Sequence, residues 1–114
     1  MMEIKKRELD ARIYFAMKAA SMGYSVCFGK KSVIYYYRNF LTKGLVFFKS
    51  FGPNNTILID KIKSAGHKLL AWDEEGMTFI PDEYNDRRLY KENFYKFELF
   101  FTWGETDHKI IEKY

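Results

Sequence analysis

Four short apolar runs, each preceded by a stretch of helical period or a loop, decide what this chain can fold into. They are Tyr24–Phe28, Leu45–Phe48, Lys68–Trp72 and Leu99–Trp103. Each is the length of a strand, and each is bounded by a turn signal: Gly29, Lys49-Ser50, Asp73-Glu74-Glu75-Gly76 and Gly104. Strands that are apolar throughout belong to a sheet covered on both faces, and such sheets are parallel with helical crossovers. Right-handed crossovers then predict an α/β fold: a Rossmann-like wound, mainly parallel sheet with helices on both faces.

The segments between the runs carry the helical signal. Leu9, Ile13, Ala16, Met17 and Ala20 recur at three- and four-residue spacing, which predicts an amphipathic helix from about Glu8 to Met22 closed by Gly23. Ser32 to Phe40 forms a second helix that stops before Gly44. Gly52-Pro53 breaks the chain, Asn54 or Asn55 caps a third helix through Ile57, Leu58, Ile62 and Ala65, and Gly66 ends it. Residues 78–89 read as a loop, Phe94 and Phe97 as a short helix, and Thr106 as the cap of a last helix containing Ile110, Ile111 and Tyr114. Only Met1 to Ile4 precede the first helix, so the first strand is expected to be truncated. The last helix breaks off at Tyr114, and both ends suggest a piece of something longer.

At 114 residues the chain has room for a single domain, residues 1–114, and one core without disulfides. That is too short for a complete enzyme of this fold. Aromatic residues make up 19% of the sequence, which predicts an aromatic-rich core. The single cysteine, Cys27, lies inside an apolar run and is expected to be a buried small hydrophobe; one cysteine also fits a reducing compartment. No run approaches the ~20 apolar residues of a membrane span, and the N-terminus has no secretory h-region. The expected location is cytoplasmic, including the inner face of the membrane.

Net charge is +4, but nineteen cations are offset by fifteen anions, and only Lys5-Lys6-Arg7 forms a basic run of three. Nucleic-acid binding wants a continuous basic stripe, so no nucleic-acid partner is expected. Mild attraction to an anionic membrane or to phosphorylated substrates fits the same balance.

In a parallel wound sheet the ligand lies beyond the carboxyl ends of the strands. The residues falling there are Lys5, Lys6, Arg7, Glu8 and Asp10; Gly29, Lys30 and Lys31; Lys49, Ser50 and Gly52; Asp73 to Gly76; and Gly104, Glu105 and Asp107. Asp73, Glu74 and Glu75 are the densest carboxylates. One of them can serve as general base for a substrate hydroxyl, its pKa raised by its like-charged neighbours; the plain alternative is a solvated acidic turn. His67 and His108 share no carboxylate–histidine motif and read as surface or helix-end residues, so no metal is expected. Neither a Walker loop, a GxGxxG nor a nucleophile elbow is present, and no cofactor is expected.

The segments Glu3-Ile4-Lys5-Lys6-Arg7-Glu8-Leu9-Asp10-Ala11-Arg12, Gly23-Tyr24-Ser25-Val26, Lys49-Ser50, Asp73-Glu74-Glu75-Gly76 and Phe101-Thr102-Trp103-Gly104 resemble the N-terminal part of bacterial surface carbohydrate (polysaccharide) biosynthesis proteins. These have the two-domain glycosyltransferase B architecture and are distantly like CDP-glycerol glycerophosphotransferases. The resemblance implies an acceptor-side domain, inactive alone. A sugar or polyol-phosphate acceptor would bind here, and the nucleotide-linked donor would bind to a missing C-terminal domain. It further implies that Glu3, Lys5, Arg7 and Glu8 line the cleft opposite Asp73, Glu74, Glu75 and Gly76, with Lys49, Ser50 and Gly104 on the same rim. Lys and Arg would meet phosphate oxygens and a carboxylate would activate the acceptor. A missing first strand leaves a sheet edge open to self-association. The competing readings are a stand-alone flavodoxin-like or receiver-like interaction module, with Asp73 as its acidic acceptor, and a nucleic-acid binder.

Overall fold

In a computed structural model of the chain, residues 5–72 and 90–112 are described; the side chains of 5–8, 107 and 110 lie outside that description. The chain divides into two compact units, Met1–Phe40 and Leu41–Tyr114.

The first unit holds two helices, α1 (Lys5–Ser21) and α2 (Lys31–Tyr37). The expected helix is present but begins three residues earlier, because Lys5, Lys6 and Arg7 are themselves good helix formers. It ends in a Schellman turn: the Tyr24 amide donates to Ala19 O at 3.2 Å and the Gly23 amide to Ala20 O at 3.0 Å. Gly23 takes φ +89°, a conformation that side chains resist.

Three expectations fail in this unit. Tyr24–Phe28 is not a strand but a stretch without regular structure, and Cys27 is exposed rather than buried. Strand propensity needs a neighbouring strand to take the N–H and C=O groups, and the described elements of this unit are both helical. Nor is the apolar face of α1 buried: Ile13 and Met17 are exposed, and among its described side chains Arg12 is the buried one. Ile34 on α2 is the buried apolar residue among those described in this unit.

The second unit is an α/β arrangement around a three-stranded parallel sheet in the order β1-β2-β3. Its strands are β1 (Leu45–Phe48), β2 (Lys68–Trp72) and β3 (Leu99–Phe101). The helices are α3 (Thr56–Ser64), entered through a 3-10 turn at Pro53–Asn55, the single turn α4 (Lys91–Phe94) and α5 (Glu105–Ile111). Phe47 pairs with Leu70 and Leu70 with Leu99, while Phe48 pairs with Ala71 and Ala71 with Phe100. Alternation then puts Val46, Phe48, Leu69, Ala71 and Phe100 on one face, and Phe47, Leu70, Trp72, Leu99 and Phe101 on the other.

The first of these faces carries the core. α3 packs against β2, and Ile59, Ile62, Leu69 and Ala71 are fully buried. Removing each large aliphatic side chain from water contributes about 1.5–3 kcal/mol. Aromatic rings fill the remainder: Phe51 meets Phe100 edge-on at 4.9 Å and lies 5.7 Å from Phe94, and Phe48 meets Phe97 edge-on at 5.5 Å. α3 closes as α1 does, with Gly66 at φ +89°, its amide donating to Lys63 O and the His67 amide to Ile62 O. Among the described residues no helix is long and apolar enough to cross a membrane.

Candidate functional site

Because β1, β2 and β3 run parallel and in register, their carboxyl ends come out along one edge of the sheet. Lys49, Ser50, Phe51 and Gly52 follow β1 there, and Thr102, Trp103 and Gly104 follow β3. Trp72 closes β2; the residues after it, Asp73, Glu74, Glu75 and Gly76, lie outside the described residues, as does Glu3. Lys5, Arg7 and Glu8, expected to line a cleft after a first strand, have their backbone in α1, where the helix was expected from about Glu8.

The segment after β1 is held by two asparagine amides: Asn55, which sits at the N-cap of α3 but makes no capping bond with its side chain, and Asn93, which no local signal in the sequence marks. Ser50 is half-buried, and Asn55 Nδ2 donates to its Oγ at 3.1 Å and to its carbonyl at 3.4 Å. One residue on, Asn93 of α4 is fully buried beneath the loop. Its Nδ2 donates to Phe51 O at 3.0 Å, Gly52 O at 3.2 Å and Thr56 Oγ1 at 2.9 Å. Thr56 in turn donates its hydroxyl proton to Pro53 O at 2.8 Å. Carbonyls that would be left open by the tight turn into α3 are thus satisfied by side chains, as buried polar groups must be.

A second layer of contacts fixes α4 itself. Lys96 Nζ pairs with Asp60 Oδ1 on α3, and Lys63 Nζ donates to Lys96 O at 2.7 Å. Tyr90, ahead of α4, donates its phenol proton to Glu92 Oε2 at 2.7 Å. That hydrogen bond, with burial and the nearby negative charge adding to it, raises the Tyr90 pKa above its ordinary 10.0.

At the β3 end, Gly104 O accepts the His108 amide at 3.0 Å and so begins α5. A side chain at Gly104 would meet nothing within 4 Å, and its φ is not positive. Neither sterics nor backbone strain therefore asks for glycine at this rim position. His108 is exposed, as expected, its Nε2 3.1 Å from Oε1 of Glu112, the residue after α5. His67 lies at a helix end, one of the two expected placements, but is buried rather than on the surface. It is only 5% exposed at the head of β2, where its Nδ1 accepts the Gly44 amide at 3.3 Å. It therefore lies at the amino edge of the sheet, away from the rim.

Chemically, the described part of the rim carries the Lys49 ammonium, the hydroxyls of Ser50 and Thr102, and a hydrogen-bonded backbone, which suits an anionic or hydroxylated small ligand. The strands follow one another in order across the sheet, so no reversal of direction marks a crevice among those described. No family model matches the chain, and no curated protein or solved structure matches it either.

Proposed function

We propose that the chain is the acceptor-side N-terminal domain of a glycosyltransferase-like enzyme of surface polysaccharide biosynthesis, with a Rossmann-like wound sheet completed by strands beyond those described. One observation carries the reading: Lys49 and Ser50 leave the carboxyl edge of a parallel sheet in register with the end of β2, and Asp73-Glu74-Glu75 follow that strand directly in the sequence. Lys49 serves to bind the phosphate of a polyol-phosphate or sugar-phosphate acceptor. A carboxylate of the acidic turn takes the proton of the attacking hydroxyl. A donor-binding domain must supply the second half of the cleft, since one wall alone does not hold two substrates in attack geometry.

The test has two parts. An antibody raised against this domain is expected to detect a native polypeptide several times larger than 13.7 kDa in the source cell. Nuclear magnetic resonance titration with glycerol 3-phosphate is expected to shift the amides of Lys49, Ser50 and residues 73–76, with Lys49→Ala weakening binding about tenfold. Shifts confined to other surfaces, or none at millimolar ligand, sink the reading.

A further inference from the structure

Charge and exposed apolar surface are distributed very unevenly between the two units. Residues 1–40 carry eight Lys and Arg against three Asp and Glu, a net +5; residues 41–114 carry eleven against twelve, a net −1. From Ala11 to Phe40 there are five cations and no Asp or Glu at all. The first unit therefore holds the entire positive excess of the chain.

The same unit leaves its apolar side chains in water. On α2 and the turn after it, Val33, Tyr36, Tyr37 and Phe40 recur at i, i+3, i+4 and i+7, the spacing of a helix's apolar stripe. Here that stripe faces outward: Tyr36 is 72% exposed and Phe40 84%. The rings form a ladder, Tyr36 to Tyr37 at 5.1 Å and Tyr37 to Phe40 at 6.5 Å, both edge-on. On the opposite side Ile34 is buried, and Arg38 is half-buried, donating to Tyr35 O at 2.7 Å and lying 4.6 Å over the Tyr35 ring. Exposed aromatic surface of this extent marks an interaction site.

We infer that the Val33–Tyr36–Tyr37–Phe40 stripe, within the carboxylate-free segment 11–40, docks on the headgroup layer of an anionic lipid membrane. Tyrosine, with an apolar ring and a polar tip, suits the boundary between headgroups and acyl chains. Lysines such as Lys18 and Lys30 are exposed and free of nearby carboxylates in the sequence, so they add attraction to a negatively charged leaflet. Val33, and the exposed Ile13 and Met17 of α1, favour lipid over nucleic acid, because aliphatic side chains gain from an acyl layer and little from bases or phosphates. The inference does not depend on the transferase reading: it concerns what the first unit rests on, whatever the second unit binds.

The test is cosedimentation of the full chain with vesicles of phosphatidylcholine, with and without phosphatidylglycerol. Binding is expected with phosphatidylglycerol, to be absent from phosphatidylcholine alone, and to fall steeply as salt is raised. Tyr36→Ser with Phe40→Ser, and separately Lys18→Glu with Lys30→Glu, are expected each to weaken it about tenfold or more, with helix content by circular dichroism unchanged. Tyr36→Trp retains an interfacial ring, so its fluorescence is expected to shift to the blue on phosphatidylglycerol vesicles. Lack of binding, equal binding to neutral vesicles, indifference to the Tyr36/Phe40 pair, or an unshifted tryptophan overturns the proposal. So does a single-stranded oligonucleotide that displaces the chain from the vesicles at equal charge concentration.

Discussion

Asn93 Nδ2 reaches Phe51 O at 3.0 Å across 42 residues of sequence, joining the turn α4 to the loop that leaves β1. Two amide protons serve three acceptors there; Asn93 and Phe51 are buried, whereas Gly52 and Thr56 are partly open to water. Asn93→Ala is therefore expected to cost about 1–3 kcal/mol, the penalty of leaving buried acceptors unmade. Asn93→Asp removes the donor while placing charge beside two carbonyls, and should cost at least as much. Urea unfolding followed by tryptophan fluorescence measures both; a loss below about 0.5 kcal/mol for Asn93→Ala contradicts the account.

The neighbouring ion pair is a useful contrast. Lys96 and Asp60 are partly exposed, at 26% and 52% of their side chains. Exposed pairs contribute about 0–1 kcal/mol and are screened by salt. Asp60→Asn should therefore destabilise far less than Asn93→Ala, and the difference from wild type should shrink further in high salt. A loss matching that of Asn93→Ala would mean that the pair, and not the buried amide, clamps α4.

Gly23 and Gly66 occupy the same C′ position with the same φ of +89°, but their surroundings differ. A β-carbon at Gly23 meets nothing within 4 Å, whereas one at Gly66 comes 2.9 Å from Lys43 Cε. That methylene is the far end of a long side chain and can swing aside, so strain at the backbone decides both cases. Gly23→Ala and Gly66→Ala are each expected to cost about 1–2 kcal/mol, and Gly104→Ala, with open space and ordinary φ, to stay within about 0.5 kcal/mol. Unfolding curves for the three variants rank these effects directly. A much larger loss at Gly66 alone would show that Lys43 cannot move.

Tyr90 supplies a pH-dependent signal. Its phenol proton is shared with Glu92, so the folded chain holds that proton more tightly than the unfolded chain does. With the folded pKa raised, the stabilisation is fully present below the ordinary value of 10.0 and is lost as pH rises through the raised one. Ultraviolet difference titration should show Tyr90 ionising above 10.0. Glu92→Gln should bring it back toward the ordinary value, since the amide carries no negative charge. A titration unchanged by Glu92→Gln would exclude this cause.

How much of this was legible in the residues follows from which signals are local. The runs Leu45–Phe48 and Lys68–Trp72 are strands at the expected bounds, and Gly23 and Gly66 end helices where glycine after an apolar period predicts. These features depend on near neighbours in the chain. Tyr24–Phe28 has equal strand propensity, but pairing is a property of what lies beside a strand, and no run of residues encodes that alone. Asn93 was invisible for a similar reason: within Lys91-Glu92-Asn93-Phe94 nothing separates a buried amide from a solvated one. Lys49 and Ser50 were placed correctly at the end of β1, because the end of an apolar run fixes the edge of a parallel sheet.

His67 carried a signal that composition hides. It follows Gly66, the C″ position of a Schellman turn, where a side chain commonly packs back on the last helical turn. The structure buries it there, with its ring nitrogen accepting the Gly44 amide just before β1. The contact links the amino ends of the two strands, beside the bond from the Lys68 amide to Gly44 O at 3.0 Å. His67→Phe keeps an aromatic ring there and removes the acceptor, and is expected to cost about 1–3 kcal/mol. His67→Ala adds a cavity to the same loss and should cost more. Amide exchange at Gly44 gives the sharper readout: it should accelerate in both variants, and protection retained in His67→Phe would show that the ring fills space there and holds no hydrogen bond.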